Sequence, residues 1–307
     1  NLTANNGLAK IQAYDEAEAA ESNDDGNITV KGNVVSDTDG VTITTTNGDI
    51  TVGTAEATPG AVKAVKALEI STAGTGDVTV NGNLETTDST NGTVNVSAAE
   101  GKVSLTKAGN KAGTETAATE VINSANSVSV TASDSSENGV DGVGDITVNG
   151  NVKAATTAEI STDQGNITVG TAAATAPSTT TAAPVTITSG SGLTVEATKS
   201  GDINVTGKLV TADDNTVEGT TTGDVEVKTA AGDIVLNYGT GSDKDVVNSS
   251  KAALVQTGAG DIDVTGNVIG ATTATLDVKE GHVNLTGNLT AEGGLAKIQG
   301  YDAAEAN

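Results

Sequence analysis

The sequence predicts an all-β protein, a parallel β-solenoid (β-helix) in which each coil contributes two or three short strands. Three observations predict this fold: a Gly-x-[Val/Ile]-x-[Val/Leu] pattern repeats, apolar and polar residues alternate after each glycine, and large core-filling side chains are missing. The chain of 307 residues contains 38 Gly and three Tyr, but no Phe, Trp, Met or Cys. A thin tube built from stacked β-branched residues explains this composition, because it has little room for aromatic rings.

Each copy of the pattern predicts a turn that leads into one short strand. Gly permits positive φ, and Asx side chains bond nearby backbone groups, as in Gly48-Asp49-Ile50-Thr51-Val52. Alternation then gives each strand one buried and one solvated face. Asn or Asp side chains stacked at successive turns are expected to hydrogen-bond along the axis. The copies begin at residues 26, 48, 76, 92, 101, 144, 165, 201, 223, 232, 260 and 281.

Other repeat architectures fit the sequence less well. Helical solenoids need amphipathic segments of about ten residues or more, and the best such segment, 61–69, continues into strand-like residues. The signatures of leucine-rich repeats and of propeller blades are missing. With about 20 residues per coil, about 14 coils and about 70 Å of rod are expected in one long period of the sequence.

Longer periods lie above the strand repeat. Residues 48–55 recur at 165–172, and Leu68-Glu69-Ile70 corresponds to Val185-Thr186-Ile187, both at an offset of 117. The tetrapeptide at 121–124 corresponds to the one at 246–249, which again indicates an approximate duplication. Over the first twenty residues, fifteen are identical to those 287 positions further on. A chain that repeats its own beginning is expected to be one period of a longer tandem-repeat rod.

These offsets predict four parts. Residues 1–25 start the period and hold an insert with Tyr14, which predicts either a lateral contact or a plug of the core. A first β-solenoid sub-repeat spans 26–147, and a second spans 148–266. Residues 267–307 are linking coils and the restart of the 287-residue period, in which Tyr301 repeats Tyr14.

Charge and composition exclude several functions. The 15 basic residues, all Lys, face 40 Asp and Glu, for a net charge of −25. Nucleic-acid binding is disfavoured, because phosphate contacts need a basic patch and base stacking needs aromatic rings. No stretch approaches the roughly 20 apolar residues of a membrane span. Disulfides and thiol chemistry are excluded by the absence of Cys.

The sequence assigns no catalytic, cofactor-binding or metal residue. His282 replaces Asp or Asn at a turn of the repeat, where a solvated side chain is expected. Thr42 and Thr44 form a Thr-x-Thr pair, but such pairs do not recur in the regular register that ice binding requires. Calcium is the one cofactor considered, because acidic turns supply hard oxygen ligands, although none completes a known calcium motif. These turns contain Asp24, Asp25, Asp37, Asp39, Asp213, Asp214, Asp243 and Asp245.

The run Gly-Asp-Ile-Thr-Val-Asn-Gly-Asn-Val at 144–152 resembles the repeats of filamentous-haemagglutinin-like proteins, the β-helical exoproteins of bacterial two-partner secretion. The resemblance implies a fibrillar adhesin, secreted and held at the surface of a diderm bacterium. Its implied partners are neighbouring copies of the same repeat, end to end, and host-cell or bacterial-surface ligands. No functional residue is carried over, because the matching positions are structural.

Three functions remain open at this point. The favoured hypothesis is a structural extracellular stalk, a stiff spacer for adhesion or for presenting a distal domain. The alternative is a self-assembling extracellular filament or surface-layer subunit whose copies associate end to end. A polysaccharide-active β-helix enzyme ranks third, because paired carboxylates can serve as acid and base, whereas arginine and most aromatic residues are missing.

Overall fold

The computed structural model describes residues 1–13, 26–53, 60–107, 120–134, 144–170, 184–211, 223–238 and 244–301. Within these ranges the protein is all-β, with thirty strands in two sheets and no helix. Every strand pairing between them is parallel, so the predicted all-β, parallel architecture is confirmed. Helices capable of crossing a membrane are absent from this described part of the chain.

The smaller sheet has eleven strands, each paired with the next in chain order. We call this sheet the second ladder. Its strands are β2 (Ala9–Ala13), β5 (Val41–Thr45), β8 (Leu68–Thr75), β10 (Val94–Glu100), β13 (Val128–Ala132), β16 (Thr157–Gln164), β19 (Gly192–Ser200), β21 (Asp224–Thr229), β24 (Ala252–Thr257), β27 (Thr273–Val278) and β30 (Ala296–Gly300).

The larger sheet has nineteen strands. They are β1 (Leu2–Ala4), β3 (Ile28–Val30), β4 (Val34–Ser36), β6 (Ile50–Val52), β7 (Gly60–Ala64), β9 (Val78–Thr86), β11 (Val103–Thr106), β12 (Glu120–Ser124), β14 (Ile146–Asn149), β15 (Asn151–Ala154), β17 (Ile167–Val169), β18 (Val185–Ser189), β20 (Ile203–Thr211), β22 (Ile234–Asn237), β23 (Asp245–Ser249), β25 (Ile262–Thr265), β26 (Asn267–Gly270), β28 (Val283–Thr286) and β29 (Leu289–Ala291).

Two ladders of paired strands make up this larger sheet. The first ladder runs through β1, β4, β7, β9, β12, β15, β18, β20, β23, β26 and β29. The third ladder runs through β3, β6, β9, β11, β14, β17, β20, β22, β25 and β28. The long strands β9 and β20 belong to both, since their first halves pair in the third ladder and their second halves in the first.

The spacing between paired strands differs from the predicted 20 residues. Ala253 pairs with Ala274, 21 positions further on, whereas Ala158 pairs with Leu193, 35 positions further on. From Ala9 to Ala296 the second ladder therefore takes ten steps, and the expected 14 coils per period are too many. The prediction failed because long chain segments separate some strands, such as the one between Thr106 and Glu120.

The proposed offset of 117 holds for one segment only. Strands β6 and β17 both lie in the third ladder, as the recurrence of residues 48–55 predicts. Leu68 lies in the second ladder and Val185 in the first, so their correspondence is wrong. The offset of 125 relates equivalent strands, because β12 and β23 both lie in the first ladder, each with a register shift before its second buried residue.

Strands of all three ladders bury their apolar face in one continuous core. Inward residues stack in register, as where Ile43 pairs with Ile70 and Ile70 pairs with Val96. Burial of each such side chain contributes about 1.5–3 kcal/mol. Tyr238 is the aromatic residue that packs against this core, at its margin. The core of the described segments thus consists of small and branched aliphatic side chains, as the composition predicts.

The turns before the third ladder bring glycines of successive coils into contact. A Cβ added at Gly201 would overlap the carbonyl group of Gly165, and the φ of Gly201 is +142°. Gly232 stacks on Gly201 in the same way. Both the backbone conformation and the space therefore require glycine at this turn.

We expect Gly201→Ala to lower the free energy of unfolding by about 1–3 kcal/mol, because alanine is strained at this φ and meets backbone atoms. Gly192→Ala is the control, since its added Cβ would have Thr157 Cγ2 as nearest neighbour at 3.9 Å. Denaturant unfolding followed by circular dichroism measures both variants. Equal stability of the two variants would refute the stacked-glycine interpretation.

Candidate functional site

The Gly-Asx turns are the most regular polar feature of the protein. Ten of the twelve copies of the pattern lead into strands of the third ladder. The copies at Gly92 and Gly223 instead precede β10 and β21 of the second ladder. Because paired strands lie in register, the ten turns stack above one another along one edge of the sheet.

The stacked side chains form a hydrogen-bonded column, which confirms the predicted Asx ladder. At each step, Oδ1 of one Asx accepts the backbone N–H of the residue at the same position in the next turn. The donor and acceptor pairs are Asp49 on Asn27 (2.6 Å), Asp77 on Asp49 (2.8 Å), Lys102 on Asp77 (2.8 Å), Asn166 on Asp145 (2.7 Å), Asp202 on Asn166 (2.8 Å), Asp233 on Asp202 (2.8 Å), Asp261 on Asp233 (2.8 Å) and His282 on Asp261 (2.7 Å).

Two residues interrupt this column. Lys102 donates its backbone N–H to Asp77, but its side chain has no acceptor for the next turn, which Asp145 occupies. His282 donates to Asp261, and its Nδ1 lies 3.2 Å from Asp261 Oδ1. The side chain of His282 is 84% exposed, so the predicted solvated turn position is confirmed.

A second, shorter set of Asn side chains lies at the turns before the first ladder. Oδ1 of Asn33 accepts the N–H of Ala61 at 3.2 Å, and Oδ1 of Asn151 accepts that of Thr186 at 2.8 Å. Oδ1 of Asn267 accepts the N–H of Asn288 at 3.2 Å. These residues follow Gly in the recurring Gly-Asn dipeptide, so the same turn chemistry stabilises both ladders of the larger sheet.

Buried hydroxyl groups at the strand ends were missed by the sequence reasoning. Ser189 Oγ lies 2.6 Å from the carbonyl oxygens of Thr156 and Gly192, and Thr257 Oγ1 lies 2.9 Å from that of Gly232. Each hydroxyl satisfies turn carbonyls that the core would otherwise leave unpaired. A Ser or Thr at the last inward position of a strand was the available signal. The other members include Ser36, Thr45, Thr72, Thr86, Ser124, Thr162, Thr211, Thr229 and Ser249.

Hydrogen bonds lower the pKa of several carboxyl groups. The backbone N–H and then the side chain of His282 hold the pKa of Asp261 below its ordinary value. Backbone N–H groups of Asn91 and Thr90 lower the pKa of Asp88. Burial raises the pKa of Asp163, but hydrogen bonds from Asp134, Lys199 and Gln164 outweigh it and leave that pKa lowered.

The acidic turns considered for calcium do not gather into a metal centre in the described segments. No group of three or more His, Asp or Glu residues suited to a metal ion occurs there. Asp39 pairs with Lys66 at 3.3 Å, and Asp245 accepts a hydrogen bond from Asn267 at 3.0 Å. Asp24, Asp25, Asp213, Asp214 and Asp243, together with Tyr14, lie outside the described residues.

Two surface features remain as candidate contact sites. An open groove of about 450 Å³ lies beside Leu8, Lys66 and Asn91, where the first ladder turns into the second. On another part of the surface, the ammonium groups of Lys208 and Lys244 lie 4.9 and 5.0 Å from the ring centre of Tyr238. Tyr301, the counterpart of Tyr14, is 56% exposed.

The comparisons with known proteins identify no relative. The chain matches no protein-family model, no curated protein and no solved structure. Its function is therefore argued from its own residues.

Completing the Asx column should stabilise the fold. We expect Lys102→Asn to raise the free energy of unfolding by about 0.5–1.5 kcal/mol, because Oδ1 of Asn can accept a backbone N–H of the next turn. Asp202→Ala should lower it by a similar amount, since Asp233 then loses its acceptor. Asn204→Ala, two positions along β20, is the control for side-chain loss at an exposed site. Denaturant titrations measure all three, and a destabilising Lys102→Asn would contradict the column's role.

The lowered pKa of Asp261 predicts a specific acid dependence. A carboxyl group with a depressed pKa in the folded state contributes stability above its unfolded pKa, and this contribution is lost as pH falls through the folded pKa. Asp261→Asn keeps the Oδ1 acceptor but cannot titrate. Its thermal midpoint should therefore change less than that of the parent between about pH 4 and pH 2.

The matched control for this pH series is Asp263→Asn. Asp263 accepts from the Asn284 side chain rather than from a backbone N–H of a turn. Circular dichroism melting curves of parent, Asp261→Asn and Asp263→Asn give the three slopes. Identical slopes for the parent and Asp261→Asn would disprove the assignment.

Proposed function

We propose that this chain is one period of a parallel β-solenoid rod that serves as a stiff extracellular spacer in a bacterial surface adhesin. The path of the chain carries this proposal. From β1 to β30 the strands visit the first, second and third ladders in strict rotation, with β9 and β20 each serving two visits. Since all three ladders bury their inner faces in one core, a chain that winds around that core accounts for the order.

Mechanical stiffness follows from the stacking. Each coil is joined to the next by backbone pairing in three ladders and by the Asx column. Bending the rod would have to stretch these bonds together, because every coil contacts its neighbours along the whole perimeter. An acidic surface, with a net charge of −25, suits a spacer that must stay apart from other molecules.

The recurrence of sequence 287 positions apart supports a tandem array. Strands β1 and β29 have the same sequence, Leu-Thr-Ala, and occupy the same ladder. Strands β2 and β30 likewise share Ala-Lys-Ile-Gln in the second ladder. Equal sequences at equal positions of the coil allow a further period to continue the same three ladders. The resemblance to filamentous-haemagglutinin-like repeats fits a secreted protein attached to the bacterial surface.

The alternative, a self-assembling filament or surface-layer subunit, has its own support. Within the described residues, the strands β28, β29 and β30 each pair on one side only, as do β1, β2 and β3. Leu295 and Ile298, in the coil with β30, are 62% and 54% exposed. Such strand edges favour addition of another chain. The enzyme hypothesis gains no supporting observation from the described residues.

Solution scattering from chains with one, two and three periods tests the rod. Ten steps of the second ladder, at about 4.8 Å each, predict that every added period lengthens the particle by about 48 Å with an unchanged cross-section. Electron micrographs of the same chains provide a second view. Compact particles whose cross-section grows with each period would overturn the solenoid.

The concentration dependence of the single period separates the two functions. A spacer that acts within one long chain should keep the scattering length of one period as concentration rises. A filament subunit should instead grow in steps of that same length. Growth of the single period would make self-assembly the preferred function and leave the solenoid fold unaffected.

A further inference from the structure

Two lysines and a tyrosine form a compact cationic cluster on the side of the molecule. Lys208 lies on β20, Tyr238 follows the end of β22, and Lys244 directly precedes β23. Both ammonium groups lie about 5 Å from the centre of the same ring. At this distance the negative face of the ring attracts them, which holds two like charges close together.

These two ammonium groups differ from the other lysines of the described surface. Lys63, Lys199 and Lys251 form ion pairs with Glu85, Asp163 and Asp224 at 2.7, 3.0 and 3.2 Å. Lys208 and Lys244 form no ion pair with any described residue. An ammonium group has three N–H donors, and the ring accepts none of them as an oxygen would. The cluster therefore presents donors suited to an oxyanion.

The cluster also lies where the regular turn pattern is broken. The first-ladder turns use Gly-Asn at residues 32, 82, 150, 266 and 287, whereas Gly207 is followed by Lys208. One coil further on, the register shifts between Asp245 and Val247, a β-bulge. Bulges that redirect side chains are concentrated near functional sites. Lys208 replaces the amide that would otherwise accept the N–H of the next turn, so it gives up a structural hydrogen bond.

The protein itself carries the complementary charge. In the Asx column, Asp202, Asp233 and Asp261 follow one another in successive turns. Oδ1 of each accepts a backbone N–H, so the other carboxylate oxygen is left for a donor outside the turn. Successive carboxylates are about one strand spacing apart, about 4.8 Å. The two ammonium groups lie within about 10 Å of each other, because both approach one ring.

We propose that Lys208, Tyr238 and Lys244 form a lateral contact that binds the carboxylates of Asp202, Asp233 and Asp261 on a second copy of this chain. The contact joins the side of one molecule to the side of another, so it does not depend on end-to-end stacking or on the proposed spacer function. One such contact is weak, since exposed ion pairs stabilise little and salt screens them. Several contacts spaced along a tandem array would act together.

The chain offers a local reporter of this contact. Its three tyrosines are its only aromatic residues, so Tyr14→Phe/Tyr301→Phe leaves Tyr238 as the only source of tyrosine fluorescence. Sedimentation of this reporter chain across a concentration series measures association, and its fluorescence reports on the cluster itself. The series is run at about 0.15 M ionic strength with either chloride or citrate as the anion.

We expect weak self-association in chloride together with a concentration-dependent change in the Tyr238 signal. Citrate at equal ionic strength should reduce both, because its carboxylates compete for the ammonium groups. Lys208→Gln/Lys244→Gln should weaken the association constant about tenfold. Lys153→Gln/Lys279→Gln, which changes the net charge equally at two exposed lysines, should leave it unchanged. Melting curves of each variant confirm that it is folded.

Three results would overturn the proposal. One is a chain that stays monomeric, with a constant Tyr238 signal, at every concentration. Another is association that both pairs of Lys→Gln substitutions weaken equally, which indicates general electrostatics. The third is association that citrate and Lys208→Gln/Lys244→Gln leave intact, which identifies end-to-end stacking and supports the filament function instead.

Discussion

Parallel pairing of each strand with its equivalent one coil away is the constraint on which the whole structure depends. It places every turn one strand spacing from the next, so an acceptor at one turn always faces a donor at the following one. The Asx column, the stacked glycines and the buried hydroxyl groups all use this repeat distance. The same distance limits the core to side chains that can stack on copies of themselves, which is why aliphatic residues fill it.

Much of this could be predicted from the sequence, because the determining interactions are local. Gly followed by Asp or Asn specifies a turn, and alternation specifies the inner face, so the strands and the Asx column both follow from short patterns such as 48–52. The two interruptions are equally visible, since Lys102 and His282 occupy the Asx position of their own copies. A periodic fold repeats its local rules, and the repetition makes them legible.

What the sequence did not reveal depends on relations between distant residues. Coil length was underestimated because segments such as 107–119 add residues between strands without adding a strand to any ladder. The pairing of Leu68 with Val185 failed because both segments are strand-like, and only the register shows that they belong to different ladders. The approach of Lys208 and Lys244 to Tyr238 joins three positions from successive coils, which no short pattern encodes.

The unequal steps between paired strands carry an evolutionary consequence. A connection that leaves one strand and returns to the next position can gain or lose residues while the pairing stays the same, as the difference between steps of 21 and 35 residues shows. The corners of the coil thus tolerate insertion, whereas the strands do not tolerate a shift of even one residue. Such a scaffold can acquire new surface segments at many points along its length without having to evolve a new fold.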